Sequence, residues 1–245
     1  MVIYFYYGKI NLIYEFLKKF TVMHIAIIPA RSGSKRIKNK NIKKFINEPI
    51  IAKTIKIVRK FNKFDKIYVS TNSNKIKKIA ENCGAIVPFL RNKKLSGDKV
   101  ITHDVIVDLL KKISLENVET VTCLYPTSVF IEKKHIIEAR KILKKNKQKY
   151  VFSATKYEHP IQRAFSIKKY KASLFQKYKL ETRTQDFISY YHDAAQFYVA
   201  KKNTWLTSIL NFGKNGLAIQ IENNKVQDID HPNDWKLAEL KFKLR

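Results

Sequence analysis

Acidic residues are scarce in this chain: 20 Asp and Glu stand against 49 Lys and Arg among 245 residues, a formal charge of +29. A field of that size concentrates polyanions, so a nucleic acid or an acidic membrane is the first partner to consider. The excess is nearly all Lys, however, spread from Lys9 to Lys243 along expected helix faces, in a chain equally rich in Ile and Asn. A solvated, compositionally drifted surface explains that spread, and we expect no specific nucleic-acid partner. Cysteine is almost absent, with Cys83 and Cys123 alone and no C-x-x-C pair. That excludes a disulfide framework and a cysteine zinc site, and it suits a reducing compartment. Glycine and proline number six each. No linker rich in them divides the chain, and neither G-x-G-x-x-G nor G-x-x-x-x-G-K-[ST] occurs, which argues against a Rossmann dehydrogenase and a P-loop ATPase. Uninterrupted apolar runs of about 18 residues are missing too, so no membrane span is expected and a cytoplasmic location follows. Residues 1–22 are aromatic and apolar but broken by Lys9, Glu15, Lys18 and Lys19. They make a poor signal peptide, and with Met23 directly before the first clear strand they read as an appendage or a misassigned start.

What is present is alternation. Apolar runs at 24–30, 66–72, 85–90, 119–127, 150–155 and 217–222 read as strands, and helical patterns fall at 49–61, 73–82, 102–113, 132–145 and 234–244. Strand and helix in turn imply βαβ units, hence an α/β domain spanning 23–245 with a mostly parallel sheet and helices on both faces. From about 156 to 202 the alternation weakens, and an inserted lobe is expected there.

The stretch "IIPARSGSKRIKNKN" (27–41) breaks a buried strand at Pro29 and places Arg31, Lys35, Arg36, Lys38 and Lys40 within ten positions. Ligands of open parallel sheets gather at the carboxyl ends of strands. Gly33, with the small Ser32 and Ser34, lets backbone N–H groups approach an anion, while Arg31 and Lys35 neutralise it. A solvated basic loop is the plain alternative.

This run resembles the signature of the sugar-acid cytidylyltransferases, which make CMP-sialic acid and related CMP-nonulosonic acids. The resemblance covers about residues 24–241 through "NEPIIAKTI", "DKIYVSTNS", "IAENCGAIVPFLRNKKLSGD", "YPTS" and "VQDIDHPNDW". "YVFSATKYEHPIQRAF" and "YYHDAAQFYVAKKNTW" are most similar to the pseudaminic acid branch. The resemblance implies a Rossmann-like nucleotide-diphospho-sugar transferase fold whose small inserted lobe makes a homodimer. It also implies CTP and a nonulosonic acid as substrates. Arg31, Lys35 and Lys40 would contact the triphosphate, Asn41 would lie near the nucleotide, and Arg91 and Thr102 would help recognise cytidine. For Arg91 a surface cation after a strand is the lesser alternative.

In so basic a chain, "QDID" sets Asp228 and Asp230 two positions apart before a helix. On an extended segment residues i and i+2 face one side, so both carboxylates can converge on a hard cation. Mg²⁺ takes one or two carboxylates plus substrate phosphates, and the resemblance assigns the metal to this pair. Alternatively Asp230 or Asp234 caps the last helix. Tyr125, in "LYPTS" where the family commonly carries glutamine, is a candidate for substrate contact through its hydroxyl. Gln162 and Arg163 are candidates for the substrate carboxylate, and His192, Asp193 and Gln196 for the sugar acid. Two rival functions remain: a glycosyltransferase with an Asp-x-Asp motif, which leaves the cationic turn unexplained, and a nucleic-acid binder, which leaves the acidic pair unexplained.

Overall fold

The computed structural model describes residues 22–147, 149–177 and 181–245. Residues 1–21, most of the expected appendage, lie outside the described residues. Among the described residues ten strands are formed: β1 (Met23–Pro29), β2 (Lys44–Phe45), β3 (Glu48–Pro49), β4 (Lys66–Ser70), β5 (Val118–Leu124), β6 (Tyr150–Lys156), β7 (Phe165–Lys168), β8 (Lys171–Leu174), β9 (Tyr191–Lys201) and β10 (Gly216–Gln220). The helices are α1 (Ile50–Lys60), α2 (Asn74–Asn82), α3 (Thr102–Lys112), α4 (Lys133–Lys145), α5 (Lys202–Thr207) and α6 (Pro232–Lys243). Six strands make one sheet in the order β10-β6-β9-β5-β1-β4. β1 runs parallel to β4 and β5, and β10 parallel to β6, while β9 enters antiparallel between β5 and β6.

Burial on both faces explains why the central strands read as unbroken apolar runs. Ala26 and Ile28 of β1 face Ile51, Ile55 and Val58 of α1, with α2 and α4 in the same layer. Ile25 and Ile27 face Ile106 and Leu109 of α3 and Trp205 of α5. α2 begins where the Ser73 side chain accepts a hydrogen bond from the Ile76 N–H, a local cap of the kind serine supplies.

The structure departs from two expectations. Residues 85–90 contribute only isolated bridges, Ile86 with Tyr68 and Leu90 with Thr71, because the segment peels off the sheet edge beyond β4. Residues 191–201, expected in the lobe, are instead the antiparallel strand at the heart of the sheet. The lobe proper is therefore shorter, about 157–190, and carries the β7–β8 hairpin with its exposed Phe165, Ile167, Leu174 and Phe175.

β9 has one irregularity that matters for the site. Phe152 faces Tyr198, but Ala154, two steps on, faces Asp193, five steps back along β9. The surplus residues form a bulge held by Ser153, whose hydroxyl accepts from the Gln196 and Phe197 N–H groups at 3.0 and 3.3 Å. Ala195 within it has φ +50°, a left-handed conformation for a non-glycine residue. Bulges re-aim side chains, and this one turns Asp193 toward the carboxyl ends of β1 and β5.

Phe197, fully buried behind the bulge with His135 stacked on it at 6.3 Å, holds β9 to α4. Phe197→Ala is expected to lower unfolding free energy by about 3–5 kcal/mol, the usual result of removing a large core ring. Urea unfolding measures it, and a loss below about 1 kcal/mol would show that the bulge does not depend on this contact.

Candidate active site

The turn after β1 and the segment before α6 are far apart in sequence and meet because both are anchored in one apolar cluster. Ile37 from the turn, Ile229 from the acidic segment, and Phe45, Phe130 and Trp235 pack together there. Trp235 stands edge-on to Phe45 at 5.7 Å. The polar residues flanking Ile37 and Ile229 are thereby turned toward a common cavity of about 470 Å³.

Eleven residues expected in the site line this cavity: Arg31, Ser34, Lys35, Lys40, Asn41, Arg91, Thr102, Tyr125, Asp193, Asp228 and Asp230. Asn41 is 8% exposed and donates from Nδ2 to the Arg31 carbonyl at 2.9 Å, closing the turn on itself. Gly33 has φ +85°, which explains a glycine in the middle of the turn. Gly33 and Ser32 lie outside the cavity wall. Ser32 instead receives the Asn72 side chain, whose Oδ1 accepts from the Ser32 N–H at 2.8 Å.

Arg36 is a contributor the sequence reading passed over. Its guanidinium grips Asp230 with two contacts, at 2.8 and 2.9 Å, and Lys40 reaches the same carboxylate at 3.3 Å and the Ile229 carbonyl at 2.6 Å. Asp230 is therefore neutralised by its neighbours. The cap of α6 belongs to Asp234, whose Oδ2 accepts from the Asp230 and His231 N–H groups at 3.0 and 2.6 Å, which leaves the Asp230 side chain to the cavity. Asp228 makes no ion pair among the described residues. It is open to the cavity yet hemmed in by protein, and that loss of solvation, with Asp230 beside it, pushes its carboxyl above the usual range. A carboxylate short of compensating charge, facing a polar cavity beside a second carboxylate, is a donor set that fits Mg²⁺ sharing its coordination with phosphates and water.

Arg91 is 5% exposed and also without an ion-pair partner among the described residues; its Nε donates to the Ser96 hydroxyl at 3.4 Å. Burial, then the charge of Arg31, pushes its guanidinium down to about 10. It remains cationic at neutral pH, and a buried cation in that condition marks a place prepared for an acceptor-rich ligand. The surface-cation reading of Arg91 does not hold.

At the other end of the cavity, the Tyr125 hydroxyl lies 3.2 Å from the Thr102 hydroxyl, and its ring meets Tyr198 edge-on at 5.9 Å. Burial pushes the Tyr125 phenol up to about 12 and raises Tyr198 as well, so both stay protonated donors. Tyr198, also missed from sequence, donates to Asp193 Oδ2, while Asp193 Oδ1 accepts from the Ala195 N–H at 2.9 Å.

Besides Ser32 and Gly33, four more expected residues do not reach the cavity within this chain. Strand alternation turns His192 away from Asp193, onto the Tyr157 ring at 4.8 Å. Gln196 is buried behind the bulge. Gln162 sits inside the lobe and donates to the Ile188 carbonyl at 2.8 Å, and Arg163 lies over the Phe187 ring at 5.6 Å.

Residues 25–234 match the family model described as Cytidylyltransferase. A pseudaminic acid cytidylyltransferase of Campylobacter jejuni is 33% identical over 224 residues, covering 90% of this chain and 97% of that protein. An N-acylneuraminate cytidylyltransferase of Escherichia coli is 34% identical over 215 residues, 87% of this chain and 51% of that protein. Among solved structures, a CMP:2-keto-3-deoxy-manno-octonic acid synthetase complexed with CTP superposes with a TM-score of 0.66 at 13% identity, covering 91% of this chain and 99% of that one. At that identity the likeness speaks to the fold.

Proposed function

The chain belongs to the cytidylyltransferase family, and from that premise we propose that it transfers CMP from CTP to a nonulosonic acid, pseudaminic acid in particular, with release of pyrophosphate. The observation that carries this reading is a single cavity that brings together the cations of the turn and an under-compensated carboxylate, Asp228. Neither rival function accounts for both.

The reaction joins the anomeric oxygen of the sugar acid, whose hydroxyl proton passes to water, to the α-phosphorus of CTP and breaks the bond from that phosphorus to the β-phosphate oxygen, so negative charge grows on the pyrophosphate. Little covalent chemistry is asked of the protein; positioning and charge stabilisation do most of it. Arg31, Lys35 and Lys40 hold the polyphosphate, and Arg91 secures the nucleotide from below. Thr102 and Tyr125 offer hydroxyls to the nucleoside end. Asp193, an acceptor fixed by two donors, orients the sugar acid through one of its hydroxyl or amide N–H groups. Magnesium, held by Asp228 and Asp230, would supply Lewis-acid stabilisation of phosphate oxygens. Arg36 keeps Asp230 in place and limits repulsion between the two carboxylates.

The exposed apolar side chains of the lobe support a homodimer formed through residues 157–190, since a patch of that kind marks an interaction surface. Among the described residues no helix is long and apolar enough to cross a membrane. We place the enzyme in the cytosol, where CTP is made.

Pyrophosphate release with CTP, Mg²⁺ and pseudaminic acid is the direct test, with legionaminic and N-acetylneuraminic acids and with ATP, GTP and UTP as comparisons. Release with CTP and pseudaminic acid, at least tenfold above every other pair, is expected. A folded, CTP-binding protein that is silent with all three acids would sink the reading.

A further inference from the structure

Asp98 is absent from any site expected from the sequence, yet it joins the two cations that the cavity turns toward a polyphosphate. Arg31 Nη2 lies 2.7 Å from its Oδ1 and Lys35 Nζ lies 2.6 Å from its Oδ2. Among the described residues it is the one acid in ion-pair range of either cation. The loop that carries it, 92–101, runs from Arg91 to Thr102 and lines the cavity with Leu95, Gly97 and Val100. The contact therefore straps the nucleoside wall to the phosphate turn.

We propose that Asp98 is a positioning residue, holding the Arg31 and Lys35 end groups side by side so that their remaining donors face the phosphates. The inference rests on the function proposed above. A guanidinium offers five N–H donors and an ammonium three, so each cation can keep Asp98 and still bind phosphate oxygen. Without Asp98, three cations (Arg31, Lys35 and Arg91) repel one another, and Lys35, its side chain 80% exposed, swings into solvent. The hydrogen bonds from Lys35, then Arg31, hold the Asp98 carboxyl below its usual range, so it is charged throughout the working pH range.

Two effects then pull in opposite directions. Removing a negative charge beside the polyphosphate favours ground-state binding, whereas losing the strap misplaces the cations during transfer. For Asp98→Asn we expect kcat to fall at least tenfold while KM for CTP stays the same or falls by up to about fivefold, and for Asp98→Glu we expect most of kcat to return. Asp98→Ser serves if Asp98→Asn does not fold. Unchanged kcat with a lower KM would mean that Asp98 only competes with phosphate, and a rise in KM together with a lower melting temperature would mean a merely structural contact; both overturn the proposal. Should the wild type bind CTP but turn over no sugar acid, the functional reading fails while CTP titration still decides the strap: Lys35→Ala should cost less CTP affinity in the Asp98→Asn background than by itself, and an equal or larger cost in that background overturns the strap.

Discussion

Asp228→Asn is expected to abolish turnover and, at the same time, to make the protein slightly more stable. The amide keeps the shape but removes the charge of a cavity carboxylate that, unlike Asp230, has no ion-pair partner among the described residues, so kcat should fall by a factor of about 10³ or more, as for other removals of a focal charge in a transfer site. The stability effect has the opposite sign. Because the folded-state pKa of Asp228 is raised above its ordinary value, ionised Asp228 costs stability at neutral pH, and that cost disappears as pH falls through the raised pKa. Asparagine removes it at every pH. The group is open to the cavity, so solvent screens much of the penalty, and a rise of about 1–2 °C in melting temperature in the presence of EDTA is the expected size. Thermal scans beside pyrophosphate assays test both halves. A variant that loses activity and melts several degrees lower would show Asp228 to be a structural carboxylate, and retained activity would remove it from the site.

Arg31→Ala should lower kcat/KM for CTP by about 10²–10³, the cost seen when one fixed donor to developing charge is removed. Arg31 follows the buried Ala30 at the end of β1, its carbonyl is pinned by Asn41, and its guanidinium is held by Asp98, so little freedom is lost when it binds phosphate. Lys35→Ala should cost less, about tenfold, because that side chain is 80% exposed and already solvated. Arg31→Lys keeps the charge but not the planar fork, and should recover only part of the loss. Steady-state kinetics over a range of CTP concentrations separate these cases. Equal losses for Arg31→Ala and Lys35→Ala would show that charge alone matters and that the anchoring of Arg31 is irrelevant.

The α/β class, the order of most elements and the two halves of the site were legible in the sequence because each depends on local pattern. A short, Ile-rich run such as Ile25–Ile28, stopped at Pro29, reads as a buried central strand, and the turn after it announces itself by cations beside Gly33. The acidic pair stands out in a basic chain by composition alone. Tertiary structure decided what meets what. The packing of Ile37 against Ile229 brings Arg36 and Lys40 onto Asp230, a pairing between residues almost two hundred positions apart that no local spacing encodes. The bulge in β9, created by a mismatch with β6 and braced by Ser153, sends Asp193 inward and leaves His192 and Gln196 outside the cavity, although all three looked alike as neighbours in one polar run. Asp98 and Tyr198 escaped notice for the same reason: an aspartate in a loop and a tyrosine in a strand gain meaning only from the cations and the carboxylate that the fold sets beside them. Periodicity and charge determine the elements, because backbone geometry is a local constraint; the partners of each polar group are set by packing, which is not.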